Sequence, residues 1–388
     1  VVRDLAGARP QATRGGGMNA LGQRIARLIQ AQGPISVAQF MTIALHDPQS
    51  GYYATRDPLG TRGDFITAPE VSQMFGELLG LWIAQCWHDQ GKPAARLVEL
   101  GPGRGTLMSD ALRAIKQLMP EFLAKVEVLL VEASPALTGI QKSTLAVSGA
   151  KARWAKQFDD SLGDKPLFLL ANEFFDALPI RQFVKTERGW CERMVVTNGD
   201  ALDFAVSPEA VPASSIPQNR DGAPTGAFYE TSPASSAIVQ QIGEIIAREG
   251  GAALIVDYGY GADAGYGETL QAVAAHQYAS VLEAPGDADL SAHVDFTAMA
   301  EDARHAGATP FGPVEQGEFL VSLGILTRAE RLASNDGFSL SWQKLHPHLG
   351  SAPLIESQLN RLIKPDQMGT LFKALAIMPN GAKTPAGF

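Results

Sequence analysis

Arg96-Leu97-Val98-Glu99-Leu100-Gly101-Pro102-Gly103-Arg104-Gly105-Thr106 is the stretch on which the fold turns. A short apolar run holding one acid ends at glycines on alternate positions, and a helical pattern then runs from Leu107 to Leu118. Glycine permits the tight turn and lets backbone N–H groups approach a ligand closely. The start of the following helix adds a field favourable to a carboxylate. In the dinucleotide fingerprint G-x-G-x-x-G the sixth position is glycine. Here it is Thr106, and Pro102 stiffens the first step, which favours a ligand without pyrophosphate.

Downstream the same rhythm repeats. Val126 to Val131 is a second apolar run followed by a helix from Pro135 to Leu145, and Leu167 to Leu170 and Ala252 to Val256 are further buried-strand candidates. Such a series predicts an α/β fold, a parallel sheet with helices on both faces and function at the carboxyl ends of its strands. Glu132 stands at one such end, where a carboxylate can accept hydrogen bonds from both hydroxyls of a ribose; otherwise it is a solvent-facing strand-end acid. Ala171-Asn172-Glu173-Phe174-Phe175-Asp176-Ala177-Leu178-Pro179 follows another strand with an amide, two acids and two aromatics. Asn172 reads as a ligand or nucleophile contact or as a turn former. Glu173 and Asp176 read as binders of a cationic substrate, with helix capping the alternative for Asp176.

Upstream, Leu21, Ile25, Leu28 and Ile29 recur at helical spacing until Gly33-Pro34, and Ser36 can cap a second helix from Val37 to about Leu45. Gly51 to Phe65 reads as a long loop. A helix starting at Thr67-Ala68-Pro69-Glu70 has Val71, Phe75, Leu78, Leu79 and Trp82 as its buried stripe. The expected organisation is therefore an N-terminal helical cap with a closing loop over residues 18–92, then a core over 93–388 with insertions near 180–233 and 317–368. Within the first insertion, Arg181 to Val184, Trp190 to Val196 and Ala201 to Val206 look like β-hairpin material with Asn198-Gly199-Asp200 as a turn. Pro208 to Pro233 reads as a solvated connection. Phe296 to His305 is expected as a helix, Thr309 to Val314 as a weak strand, Phe319 to Leu362 as mostly helical and Phe372 to Met378 as the final strand.

Composition removes several classes. With 45% hydrophobic and 19% charged residues over 388 positions, the chain lies far from the regime of disorder. A net charge of −9 argues against broad nucleic-acid binding. Cys86 and Cys191 form no metal or disulfide pattern, and no window approaches the roughly 18 apolar residues of a membrane span. His346 and His348 flank Pro347 with no acidic cluster nearby and read as surface residues, so no metal is expected. The segment before Met18 carries Arg3, Arg9 and Arg14. It reads as an extended leader or an upstream start-site artefact more readily than as a transit peptide.

Taken together, Gly63-Asp64-Phe65-Ile66-Thr67-Ala68-Pro69-Glu70, Phe75-Gly76-Glu77, the Glu99 to Thr106 loop, Val131-Glu132-Ala133-Ser134-Pro135, Asn172 to Pro179, Asp257-Tyr258-Gly259 and Ala292-His293-Val294-Asp295-Phe296 resemble the MidA family. The resemblance runs from about Leu21 to Met378. It implies a Rossmann-like class I methyltransferase core and S-adenosylmethionine as cofactor. It also implies a protein substrate, methylated at arginine and drawn from a respiratory complex I subunit during assembly. By the same resemblance Glu99, Gly101, Gly103, Thr106, Glu132, Ser134 and Asn172 are cofactor contacts, Asp64 and Thr67 close the pocket, and Glu173 and Asp176 are the catalytic acids. His293 reads as a base or as a satisfied hydrogen-bond partner, with Asp295 beside it. The location implied is the bacterial cytoplasm, or the mitochondrial matrix in a eukaryote. Two other readings stand beside it: a non-catalytic assembly chaperone that keeps the pocket, and a dinucleotide-dependent oxidoreductase, against which Thr106 and Pro102 count.

Overall fold

The computed structural model describes residues 18–55, 67–146, 151–159, 162, 164–262, 265–274, 277–334 and 351–388. Asp64, His346 and His348 lie outside them. Among the described residues the central sheet has eight strands. Seven form its main path: β1 (Ala95–Leu100), β2 (Val126–Val131), β3 (Ala152–Ala155), β4 (Leu167–Asn172), β5 (Gly251–Tyr260), β6 (Thr309–Glu315) and β7 (Phe372–Met378). They lie in the order β3-β2-β1-β4-β5-β7-β6, with β1 to β5 parallel and β7 antiparallel to both its neighbours. Val294–Asp295 adds a short parallel pairing at the end of β5.

The chain walks outward from β1 to β3 and then returns to β4 on the other side of β1. That reversal is a topological switch point, where the loops after two adjacent strands diverge and leave a crevice. Register sets the level of the crevice. Leu100 pairs with Val131 on one side and Ala171 on the other, so the ends of β1, β2 and β4 lie abreast.

The apolar runs seen in the sequence are the strands covered on both faces. One face buries Leu97, Val128, Leu130, Phe168, Leu170, Leu254 and Val256 beneath the Gln73–Asp89 and Thr106–Leu118 helices. The other buries Val98, Leu100, Leu169, Ala253, Ile255 and Ile377 beneath the Pro233–Glu249 and Phe296–His305 helices. Burial on both sides removes the polar alternation a half-exposed strand would show. β3 lacks the signal for the opposite reason. It is a four-residue edge strand, partly exposed along its length, and no apolar run marks it.

The helix expected from Thr67 is two helices, Ala68–Val71 and Gln73–Asp89. Ser72 between them is extended (φ −158°, ψ 139°), and its hydroxyl accepts the Met74 N–H at 3.3 Å. A serine offers the backbone this cap in place of a continued helix. The break turns the short first helix toward the crevice.

The first insertion is a second sheet. Arg181–Thr186, Gly189–Asn198 and Phe228–Thr231 pair antiparallel, with Ala201–Ala210 and the N-terminal Ile35–Ser36 added on Gly189–Asn198. Pairing persists to Asn198 and Ala201, and Gly199 takes φ +60°, so the turn is where its residues predicted it. The Pro208 to Pro233 stretch is not merely a solvated connection. Phe228–Thr231 is a strand, and Ile216, Arg220, Ala223, Ala227 and Glu230 are buried. Glu230 accepts hydrogen bonds from Gln182 Nε2, the Thr269 N–H and the Thr269 hydroxyl, contacts across 39 or more residues that the local composition does not display.

A small sheet of Gln271–Ala274, Gln277–Ala279 and Asp289–Ser291, unread in the sequence, lies beyond β5. The Ala20–Gln32 and Val37–His46 helices pack there and against the insertion, sharing a core with Ile180, Val195, Leu202, Leu270 and Leu290. Ser36 caps the second of them in a reciprocal box with Gln39, as its position predicted.

Candidate functional site

A cleft of about 400 Å³ opens at the switch point, lined by residues that include Glu99, Gly101, Gly103, Thr106, Asn172 and Glu173, with Thr67 and Glu70 from the N-terminal side. The sequence candidates on its walls converge from three separate segments. Gly101 and Gly103 are left-handed, at φ +59° and +53°. A Cβ at Gly101 would stand 2.8 Å from Phe174 Cδ2, so the position demands glycine on both counts. Gly105, also left-handed, precedes the Thr106–Leu118 helix without a side-chain cap. The first N–H groups of that helix therefore include donors that a ligand can satisfy.

Glu99 is 3% exposed at the end of β1. Burial, reinforced by the charge of Glu132, pushes its carboxyl up to about 8, although the Met108 N–H pulls the other way. Its Oε2 is buried with no hydrogen-bond partner. Glu132 is half-buried beyond β2 and is raised by burial. Its carboxylate accepts the Ser134 N–H at 2.7 Å and Gln141 Nε2 at 3.0 Å. Gln141 is wholly buried, also donates to the Gly103 carbonyl and accepts from Trp154 Nε1, which ties the glycine loop to the second strand end. The Ser134 hydroxyl accepts the Leu137 N–H and so faces the following helix; neither Ser134 nor Glu132 lines the cleft wall itself.

On the other side of β1, Asn172 closes β4 and leaves Oδ1 buried without a partner. Glu173 next to it takes φ +49°, a left-handed conformation unusual for an acid. Its Oε1 accepts the Ala68 N–H at 3.1 Å and Asn172 Nδ2 at 3.3 Å. Burial and then the charge of Asp176 push Glu173 up to about 7. Asp176 is pushed up to about 6 by burial, and its Oδ2 accepts the Tyr258 hydroxyl at 2.7 Å while Oδ1 is buried unpartnered. Asp176 lies behind the cleft wall with Tyr258 and not on it.

Some residues quoted in the family motifs had no role assigned from the sequence. Glu70 accepts a hydrogen bond from the Thr106 hydroxyl, joining the N-terminal segment to the glycine loop. Asp257 and Tyr258 end β5 beneath the acid loop. Asp257 carries a signal that was there to be read, since it is an acid closing an apolar strand, as Glu99 is. His293 and Asp295 belong elsewhere. They line a second cleft of about 520 Å³ with Tyr229, Tyr260 and Asp302. Asp295 caps the Phe296–His305 helix through the Ala298 N–H, and burial lowers the His293 pKa.

Comparison with known proteins agrees with this geometry. A family model described as "Putative S-adenosyl-L-methionine-dependent methyltransferase" matches residues 78–314. The chain is 39% identical over 377 residues to a mouse protein named protein arginine methyltransferase NDUFAF7, mitochondrial, covering 91% of this chain and 83% of that one. The human protein of that name is 37% identical over 381 residues, covering 91% and 82%. A COG1565 superfamily protein of Burkholderia thailandensis, crystallised with S-adenosyl-homocysteine, superposes with a TM-score of 0.80 at 29% identity over 95% of this chain and 94% of that one. The chain accordingly belongs to this family of S-adenosylmethionine-dependent methyltransferases.

Proposed function

We propose that this protein transfers a methyl group from S-adenosylmethionine to an arginine side chain of a protein, and that this protein is a respiratory complex I subunit. The observation that carries the reading is the Asn172–Asp176 loop. Glu173 lies on the wall of the glycine-lined cleft, and Asp176, desolvated and with one carboxylate oxygen unpartnered, lies behind it; this pair of acids supports the reading.

The residues present fit the cofactor. Gly101 and Gly103 admit close backbone approach, the buried Oε2 of Glu99 suits an ammonium group, and Glu132 at the neighbouring strand end suits ribose hydroxyls. Thr106 and Asn172 complete the walls, Ser134 holds Glu132 in place, and we read residues 18–92 as the closing element, with Thr67 on the cleft wall. When bound, S-adenosylmethionine supplies an electrophilic methyl group on a sulfonium.

An arginine guanidinium is planar, fully charged and weakly nucleophilic. Paired hydrogen bonds to carboxylates hold it in plane and localise its lone pair on one nitrogen. Glu173 is suited to this because its Oε1 is already held by Ala68 and Asn172, leaving Oε2 for the acceptor. A carboxyl near 7 can also take up the proton that leaves the guanidinium. Burial of the loop excludes water and strengthens each of these contacts. The arginine target and a mitochondrial location in a eukaryote follow the names of the relatives; the complex I partner, the matrix and, in a bacterium, the cytoplasm rest on the resemblance to the MidA family.

Glu173→Gln is expected to lower methyl transfer about 100-fold while calorimetric affinity for S-adenosylhomocysteine stays within about twofold. Equal loss of both, or of neither, removes Glu173 from the acceptor site. Incubation with labelled cofactor and an extract lacking this protein should place the label on an arginine of a complex I subunit. Label on another residue type refutes the arginine reading, and persistent silence with complex I present favours a chaperone.

A further inference from the structure

Asp257 and Tyr258 close β5 and reach beneath the loop that carries Glu173 and Asp176. Asp257 is fully buried. Its Oδ2 accepts three successive backbone N–H groups, those of Phe174 at 3.1 Å, Phe175 at 2.9 Å and Asp176 at 3.2 Å, and its Oδ1 accepts the Tyr258 N–H at 2.9 Å. Three donors converging on one oxygen fix consecutive peptide planes, immediately after the left-handed turn at Glu173. The next residue acts on the side chain. The Tyr258 hydroxyl donates to Asp176 Oδ2 at 2.7 Å, which leaves Oδ1 as the atom without a partner.

We propose that Asp257 and Tyr258 are positioning residues for methyl transfer, Asp257 by setting the backbone that aims Glu173, Tyr258 by holding the Asp176 carboxylate behind the cleft wall, where its charge acts on Glu173. This rests on reading Glu173 and Asp176 as the acceptor site. Both oxygens of Asp257 accept N–H groups, so an amide would turn its NH2 against one of these donors, and a carboxylate is held there although burial, followed by the charges of Asp176 and Glu173, pushes Asp257 up. In its ionised form Asp257 adds to the negative field on a cationic acceptor.

Tyr258 also controls charge. Its hydrogen bond favours the ionised form of Asp176 against burial. The other groups facing Asp176 are Glu173 on its own loop, Asp257 on β5, Tyr53 of the N-terminal segment, whose hydroxyl donates to Asp289, and His293, edge-on to the Tyr258 ring at 5.5 Å.

The test is Tyr258→Phe, which deletes one hydroxyl. Carbon-13 NMR of the aspartate carboxyls, with the Asp176 signal assigned through Asp176→Asn, needs no acceptor. The Asp176 titration is expected to move upward by about one pH unit. With tritiated cofactor and purified complex I from cells lacking this protein as acceptor, kcat is expected to fall about tenfold, the acid limb of its pH profile to move upward, and the cofactor KM to stay within about twofold. Asp257→Asn should lower kcat in the same way and leave S-adenosylhomocysteine binding intact. An unmoved Asp176 titration in Tyr258→Phe overturns the proposal. So does a merely lowered melting temperature with an unmoved acid limb. Glu173→Gln and Asp176→Asn separate the two failures. If they lower kcat and the Tyr258 and Asp257 variants do not, positioning alone fails; if none of the four does, the acceptor-site reading fails. Should Asp257→Asn not fold, Tyr258→Phe decides.

Discussion

The ends of β1 and β2 and the ends of β4 and β5 are made from the same materials, parallel strands finishing in acids, yet they surround those acids in opposite ways. At the first pair, each acid is met by donors close by in the chain: Glu99 by Met108, Glu132 by Ser134 and Gln141. At the second pair, Glu173, Asp176 and Asp257 crowd one another, and beside the adjacent Asn172 and the Tyr258 N–H the groups that hold them come from Ala68 and from across 81 to 83 residues of chain. The first region is built for shape and the second for charge. The difference teaches where each recognition task is written: a nucleoside seat in a local motif, a cation seat in a tertiary assembly.

The sharpest way to break this comparison is to spoil shape without touching charge. Gly101→Ala adds a methyl in a left-handed turn and against the Phe174 ring, and it removes no ion. S-adenosylhomocysteine affinity measured by calorimetry is expected to fall about 100-fold, since both strain and a blocked wall act together. Affinity unchanged within about threefold would mean that the glycine loop is not the seat.

That asymmetry also explains what could be read before the fold was known. Glu99, Gly101, Gly103, Thr106, Asn172 and Glu173 were legible because each sits within a few residues of an apolar strand, and the strand itself announces the turn. Glu70 was not, because its partner Thr106 is 36 residues away and nothing near Glu70 distinguishes it from a first-turn helix acid. Asp257 was quoted as part of a family motif, but its role depends on N–H groups that no local pattern points toward. The same limit hid β3 and the strand at Phe228–Thr231. Both are short and gain their stability from neighbours in the sheet, so propensity alone does not reveal them.

A milder perturbation sharpens the shape side. Glu132→Gln keeps the volume but replaces a carboxylate oxygen by an amide donor, which then confronts the N–H of Ser134 or the amide of Gln141. A charge-assisted acceptor for ribose hydroxyls is lost at the same time. Cofactor affinity should weaken about tenfold, with kcat at saturating cofactor little altered. A drop in kcat with unchanged affinity would move Glu132 out of the nucleoside seat.

The smallest expected effect concerns the charge side and stability without ligands. Glu173 and Asp176 are carboxyls raised by burial, to about 7 and about 6, above their unfolded values. A raised carboxyl binds its proton more tightly in the folded state, so its stabilising contribution is fully present below the unfolded pKa and is lost as pH climbs through the folded one. The cofactor-free protein should therefore lose about 1 kcal/mol between roughly pH 4.5 and pH 7.5 from this loop. The measurement is chemical denaturation across that window for the wild type and for Glu173→Gln/Asp176→Asn. The double variant, neutral at both positions, should show a flatter profile and a higher stability at the alkaline end. Occupancy of the loop by a guanidinium compound should shift the wild type the same way, because a bound cation restores what ionisation costs. A wild-type profile that rises with pH across this range, or one that the double variant reproduces, would show that Glu173 and Asp176 are not held protonated by burial.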